Sequence, residues 1–500
     1  MPAPSFDLGH RRQPRTVSDA RGSAPHDVRP RQWQIQLQQL LRRRLEQHRD
    51  GSADVLINAG PGAGKTLGAL LSFERLQREG QLSRFLVFCH RSSIADQWLG
   101  AAARLNLQLV EWSQAGGPQV AAAADGLLIS YQAAARHRPL LEAQLRGAGW
   151  GAWLAIADEV HHLGVDPEEP EASAWGQAFT RLSAAARLRL GLTGTPFRAD
   201  NLAFCAARRQ RVRDGQEWVE QIVPDLSVEP RQLIVAGDVR PLEFRFQDGW
   251  VDHGRCGEAS GSGEVVADLE RSPLSLEQRE SWRARNLRRA IQLGDSSSIA
   301  LRLLLGARRR LEMVRRQDAG AGGLVIARNI AHARRICGLL EEEGDRVLLV
   351  HSQDPEAPAR LKAFKGGDAD WLVSIDMCAE GFDAPRLRVV AYLTTVVTRT
   401  RFVQAITRAV RIDSRRAVQE SVPRAASYVF APADPLLMQV ARTWSLSEPY
   451  VLRPRSEAVA EGEPAGRPSG PSLPLQAVQD GAGPLIRMSG PELPSFLLQR

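Results

Sequence analysis

Ala59-Gly60-Pro61-Gly62-Ala63-Gly64-Lys65-Thr66, directly after the apolar run Val55-Leu56-Ile57-Asn58, is the stretch whose residue types and spacing point to the most specific chemistry. Glycines let a backbone curl until successive N–H groups point inward at phosphate oxygens, and a helix starting at the end of the loop adds the positive end of its dipole. Gly60, Gly62, Ala63 and Gly64 form such a cradle, Lys65 is placed for the β- and γ-phosphates of a nucleoside triphosphate, and the Thr66 hydroxyl for Mg²⁺. Ala59 stands where the general pattern has its first glycine, which leaves the rest of the loop able to fold. Downstream, Leu154-Ala155-Ile156-Ala157 runs into Asp158-Glu159-Val160-His161-His162. That predicts two carboxylates at the carboxyl end of a buried parallel strand, where the ligand crevice of an open α/β sheet lies. Asp158 would hold the metal shell, Glu159 would orient and deprotonate the attacking water, and His161 would connect the phosphate site to motions elsewhere. Taken alone, Asp-Glu after a strand is often only a solvated loop or a helix cap; behind a phosphate loop the catalytic reading prevails.

Asp158-Glu159-Val160-His161 resembles the DExH form of motif II in superfamily 2 helicases and translocases, and the following His162 is similar to type III restriction-type motors. Other stretches resemble that family in its usual order. Arg29-Pro30-Arg31-Gln32 is similar to the upstream adenine-contacting element, which implies that Gln32 reads the purine edge with its amide. Gly191-Leu192-Thr193-Gly194-Thr195-Pro196-Phe197-Arg198 resembles motif III. Ser374-Ile375-Asp376-Met377-Cys378-Ala379-Glu380-Gly381-Phe382-Asp383 resembles motif V, and the likeness puts Gly381 and Asp383 at the nucleotide. Gln404-Ala405-Ile406-Thr407-Arg408-Ala409-Val410-Arg411 resembles motif VI, with Thr407 where the family usually has glycine. The likeness covers residues 29 to 430. It implies ATP and Mg²⁺ as cofactors, and two domains, because guanidiniums supplied from a second domain neutralise charge on the transferred γ-phosphoryl. Arg408 and Arg411 recur at helical spacing, which predicts that both project from one helix face, with Gln404 beside them. His90-Arg91 with Gln97-Trp98, and Ser130-Tyr131-Gln132, resemble strand-end elements that face a nucleic-acid backbone; Trp98 is read equally well as core.

The elements needed to position these groups follow from the pattern. Residues 1–27 are polar and rich in Arg, Pro and Ser, and predict a disordered lead-in. Over 28–200, apolar runs at 55–58, 85–88, 126–130, 154–157 and 188–193 alternate with helical segments, the grammar of a parallel sheet covered on both faces. Residues 201–318 read as a connecting elaboration, mostly helical at 277–293 and 299–316, with an exposed loop at 254–263 and a placement over the cleft or on the track. Residues 319–452 repeat the first grammar from strand 323–326 onward. The fold class is therefore α/β: two tandem RecA-like P-loop domains with parallel sheets plus the inserted segment. From 453 to 500 Pro, Gly and Ser predict a disordered tail, in which 494–498 reads as a short docking peptide.

Composition agrees with this without having found it. At 500 residues, 43% hydrophobic and 24% charged, the chain has apolar content for two or three cores. Its five cysteines are scattered without C-x-x-C spacing, so neither a disulfide framework nor a zinc ribbon is indicated, and a reducing, cytoplasmic compartment is expected. Asp252, His253 and Cys256 lack a second ligand pair and read as incidental. No apolar stretch is long enough to span a bilayer. A net charge of +8 favours a polyanionic partner. Lys65, Lys362 and Lys365 are the only lysines, so the charge is arginine, and clusters such as Arg42-Arg43-Arg44 and Arg308-Arg309-Arg310 read as solvated helix faces. A nuclease with an active-site lysine after an acid pair is not expected here, because Lys362 and Lys365 follow no acidic strand. The reading is an ATP-dependent nucleic-acid helicase or translocase, with DNA favoured over RNA by the resemblance to restriction and repair motors. Two alternatives stay open: the motor subunit of a restriction or phage-defence complex whose partner chains supply cleavage and site specificity, and a non-motor P-loop switch ATPase.

Overall fold

The computed structural model describes residues 28–48, 52–90, 92–113, 124–147, 150–160, 163, 174–194, 208–214, 217–255, 270–275, 280–375, 382–444, 450–452 and 475–489. The expected disordered lead-in at 1–27 lies outside them. Residues up to Val228, less the turn Gly60–Ala63, group with Pro449–Gly462 as one compact unit; Glu229–Glu448, that turn and Glu463–Arg500 form the other.

The first unit is built on β1 (Ala53–Ala59), β2 (Arg84–Cys89), β3 (Leu109–Glu111), β4 (Gly126–Ser130), β5 (Trp153–Asp158) and β6 (Leu188–Thr193). Two further strands, β7 (Arg208–Asp214) and β8 (Glu217–Val223), form an antiparallel hairpin, and β9 (Leu226–Val228) follows. The main sheet runs β3-β4-β2-β5-β6-β1-β9 and every pairing in it is parallel. Such a sheet is buried on both faces, and for that reason the five runs read from the sequence are nearly continuous apolar stretches. All six residues of β5 are buried. Helices Lys65–Arg78 and Ser92–Arg104 supply the crossovers after β1 and β2. Phe73 packs on Phe85 and Phe88 edge-on to Phe179, each fully buried. A ring buried in this way contributes roughly 1.5–3 kcal/mol. The phosphate loop follows β1 and the Asp-Glu pair ends β5, with only β6 between those strands, so both open at the carboxyl ends of one sheet.

The second unit's sheet uses β10 (Leu242–Arg255), β11 (Glu270–Pro273), β12 (Gly322–Ala327), β13 (Val347–Val350), β14 (Trp371–Ser374), β15 (Leu387–Leu393) and β16 (Ser427–Pro432) in the order β11-β10-β16-β15-β12-β14-β13. Its centre is parallel, as expected from the repeated βα grammar. Helix Ile299–Arg315 covers it, with its arginines engaged: Arg308 pairs with Asp345, Arg310 lies over the Tyr428 ring, and Arg315 joins Arg346 on Asp370. Although burial raises the Asp370 pKa, the two guanidiniums hold it well below the usual carboxylate range. These arginines lock helix to sheet, where the sequence suggested solvated faces.

Three expectations are corrected. The connecting segment holds β7 to β11 as well as helices Pro230–Val235, Glu280–Ala290 and Ile299–Arg315, so it is mixed rather than mostly helical. In β10, buried Phe244 and Phe246 alternate with Glu243 and Arg245, a period of two that places this strand inside the second sheet, which therefore begins upstream of residue 323. Just after β17 (Tyr450–Leu452), which pairs with β8, the tail expected to be disordered contains β18 (Leu475–Ser489), antiparallel to nearly all of β10. A Cβ at Gly481 would lie 2.2 Å from the Trp250 ring, so only glycine lets β18 approach.

Candidate nucleotide site

Backbone geometry builds the phosphate loop. Gly62 and Gly64 have φ of +80° and +82°, the left-handed region open to glycine, and Gly64 caps helix Lys65–Arg78. Ala63 N–H donates to Gly60 O at 3.2 Å, closing the turn. Lys65 Nζ donates to Ala59 O at 3.2 Å and lies 3.3 Å from Glu159 Oε1, so one ammonium links the end of β1 to the acidic pair. Thr66 is buried beside it in the first helical turn. Asp158 is buried as well; burial and then the Glu159 charge push its pKa up to about 6, opposed by Lys65 and by a hydrogen bond from Trp98. This donor set, a hydroxyl and a buried carboxylate next to an ammonium held at a glycine cradle, fits a nucleoside triphosphate with a divalent cation. His161 lies outside the described residues.

If Asp158 holds a cation, protonating it removes the charge that the cation needs. For a free-enzyme group with a pKa near 6, kcat/KM for the magnesium nucleotide is expected to be level at neutral pH and to fall as pH drops through about 6. A pH profile that stays flat down to 5 would contradict a working role for this carboxylate.

Besides Gln32, whose expected role is to read a purine edge, a second glutamine reaches the phosphate loop. Gln32 is exposed at the start of helix Gln32–Gln47, whereas Gln34 is almost fully buried, accepting from Arg31 N–H at 2.8 Å and donating to Gly64 O at 3.0 Å. The signal was present: Trp33, Leu37, Leu41 and Leu45 form the buried stripe, and Gln34 lies on it while Gln32 does not. The strand-end aromatics also turn inward. Trp98 Nε1 donates to Asp158 Oδ2 at 2.8 Å and Tyr131 Oη donates to Asp158 O at 2.7 Å, so neither is free to face a nucleic-acid backbone.

In the second unit, helix Arg399–Ile406 ends at Thr407, whose Oγ1 donates back to Val403 O at 2.5 Å. Arg408 and Arg411 therefore lie beyond the helix in a turn, which corrects their expected shared helical face. The turn is held from outside, since Arg240 N–H donates to Val410 O at 2.8 Å. Arg408 is buried and donates to Phe382 O at 2.8 Å; Arg411 pairs with Asp383 at 2.7 Å. Gln404 is half-buried on the last helical turn. Both arginines thus meet the segment expected to touch nucleotide at Asp383; Gly381 lies outside the described residues. At the carboxyl ends of β12 to β14, a cavity of about 450 Å³ is lined by Arg328, Asn329, His351, Ser352, Gln353 and Ile375. Asn329 caps helix Ile330–Glu342 by accepting from His332 N–H, so the positive end of that helix dipole lies beside the cavity. Among the described residues no group of three potential metal ligands occurs, and no helix is long and apolar enough to cross a membrane.

Residues 27–198 match the family model described as type III restriction enzyme, res subunit, and residues 308–413 match the helicase conserved C-terminal domain. An uncharacterized protein of Mycobacterium tuberculosis is 31% identical over 423 residues, covering 83% of this chain and 64% of that protein. One of Mycobacterium leprae is 30% identical over 430 residues, covering 85% and 66%. The chain thus spans a little under two thirds of the length of these relatives. Among solved structures, a fragment assigned to the HsdR subunit of a type I restriction enzyme from Vibrio vulnificus YJ016 superposes with a TM-score of 0.51 at 16% identity, over 85% of this chain and 68% of that one. That likeness is one of fold.

Proposed function

The chain belongs to the superfamily 2 ResIII-like helicases, and on that premise we propose that it is an ATP-driven motor that moves along nucleic acid, DNA in preference to RNA. The observation that carries the reading is Lys65, hydrogen-bonded to the end of β1 and ion-paired with Glu159 at 3.3 Å, which sets a phosphate-binding ammonium against a carboxylate suited to a water. Lys65 binds the β- and γ-phosphates, and the N–H groups of Gly62 to Thr66 orient them. Glu159 leaves Lys65 when phosphate takes the ammonium, and then orients the attacking water and accepts its proton at Oε1. Thr66 and Asp158 would hold magnesium, which would supply neutralising charge to the phosphates. Arg411 and Arg408 stabilise the charge of the transferred phosphoryl, with Gln404 alongside. Arg328 and the capped helix end at the cavity beside β12 supply donors for strand phosphates.

DNA is supported by the restriction-enzyme description of the family model. A motor acting with partner chains for cleavage is favoured by the lysines: Lys362 and Lys365 both lie exposed on helix Ala357–Gly366, and Lys365 sits over the Phe382 ring at 5.4 Å, a packing position. Measuring ATP turnover alone and with duplex DNA, single-stranded DNA and RNA tests the proposal. Stimulation by DNA above RNA is expected; equal rates with and without every polynucleotide would leave a switch ATPase.

A further inference from the structure

We propose that Trp98 and Tyr131 are positioning residues for this nucleotide chemistry, fixing the Asp158 carboxylate and the peptide that carries Glu159; the proposal rests on the ATPase reading above.

Glu159 has φ +50°, a left-handed conformation that residues bearing a Cβ avoid. Such a conformation persists where its surroundings over-determine it. Two buried side chains do so here, and each spends its only polar atom on Asp158. Tyr131, the first residue of helix Tyr131–Arg136 after β4, donates Oη to the Asp158 carbonyl at 2.7 Å. Trp98, from helix Ser92–Arg104 after β2, donates Nε1 to Asp158 Oδ2 at 2.8 Å. Trp98 is 0% and Tyr131 1% exposed, so no water competes for either bond.

The consequences for the two carboxylates differ. The Asp158 carboxyl group also accepts from the Glu159 N–H, and it cannot rotate without breaking the indole bond, so Trp98 joins that N–H in setting which oxygen is offered to a cation. The Asp158–Glu159 peptide cannot flip without losing the Tyr131 hydroxyl, so Tyr131 decides where the Glu159 carboxylate points. Tyr131 is itself held, its ring stacked on Trp175 at 6.2 Å with 18° between planes, and Trp175 lies 5.4 Å from His90 at the end of β2. Core filling alone would be served by phenylalanine at both positions. A hydroxyl and an indole N–H converging on one residue serve orientation instead.

Trp98→Phe and Tyr131→Phe in the full chain test the roles. Turnover is measured together with equilibrium binding of a fluorescent, non-hydrolysable ATP analogue, with Mg²⁺ titrated and separately in excess chelator. Tyr131→Phe is expected to lower kcat about tenfold with KM within about twofold. Trp98→Phe is expected to raise the Mg²⁺ concentration for half-maximal analogue retention about tenfold, with binding in chelator unchanged. Wild-type kcat and metal dependence in both variants would overturn the proposal, as would a parallel loss of chelator-insensitive binding, which marks a packing role. Should Trp98→Phe fail to fold, Tyr131→Phe, lacking one hydroxyl, decides alone. A wild-type chain that neither binds the analogue nor turns over ATP removes the functional reading and this proposal together; an active wild type with indifferent variants removes only the positioning roles.

Discussion

Glu159→Gln is expected to lower ATP turnover by about 10²- to 10⁴-fold while the protein still retains ATP, because the amide keeps the shape of the side chain but cannot accept a proton from water. Lys65→Ala should reach the same background rate by another route. Without the ammonium, the β- and γ-phosphates lose their direct cationic side-chain partner at the glycine cradle, so nucleotide retention falls along with turnover. The pair of variants is informative because the two side chains touch each other at 3.3 Å. If the contact were only a structural ion pair, both substitutions would act on stability and neither would separate binding from turnover. A filter-binding assay with labelled ATP beside a phosphate-release assay distinguishes these outcomes, and undiminished hydrolysis in either variant would remove the catalytic assignment.

Arg411→Ala is the second large effect: turnover falls by about 10³-fold or more while nucleotide still binds, if this guanidinium serves the transferred phosphoryl. Arg411 is 19% exposed and the Asp383 Oδ1 it pairs with is buried, so a thermal melt beside the turnover assay separates the loss of this pair from the loss of catalysis. Arg408 is a poorer probe. It is buried and satisfies the Phe382 carbonyl, and truncating it would strand that acceptor at a cost of about 1–3 kcal/mol, mixing folding with catalysis. Loss of nucleic-acid binding alone in Arg411→Ala, with normal basal turnover, would reassign the residue to the track.

Legibility followed the physics of each signal. Buried parallel strands are short apolar runs, so β1, β2, β4, β5 and β6 could be read directly, and the glycine spacing of the phosphate loop announced the two positive φ values. Side-chain pairing between distant segments was not legible. Nothing local to Trp98 says that its indole reaches Asp158 sixty residues away. Gln34 at the phosphate loop is legible from the buried stripe of its helix, whereas Gln32 is singled out only by the Arg-Pro-x-Gln resemblance. Arg408 and Arg411 fit helical spacing, yet a β-branched Thr407 bonding back to Val403, with Arg240 holding Val410, ends the helix first. The Gly content that predicts disorder after residue 453 includes Gly481 and Gly483, which in β18 instead allow close approach to Trp250 and Gly249.

That late strand has a consequence for how the polypeptide is handled during synthesis. Trp250 emerges from the ribosome well before Gly481, its register partner, so β10 waits with one side unpaired while more than two hundred residues are added. Closing so long an excursion is entropically slow, and an unpaired edge recruits other chains. Recombinant pieces ending before Leu475 are therefore expected to precipitate or associate even though the other strands of both main sheets are present, and boundaries for expression should run past Ser489.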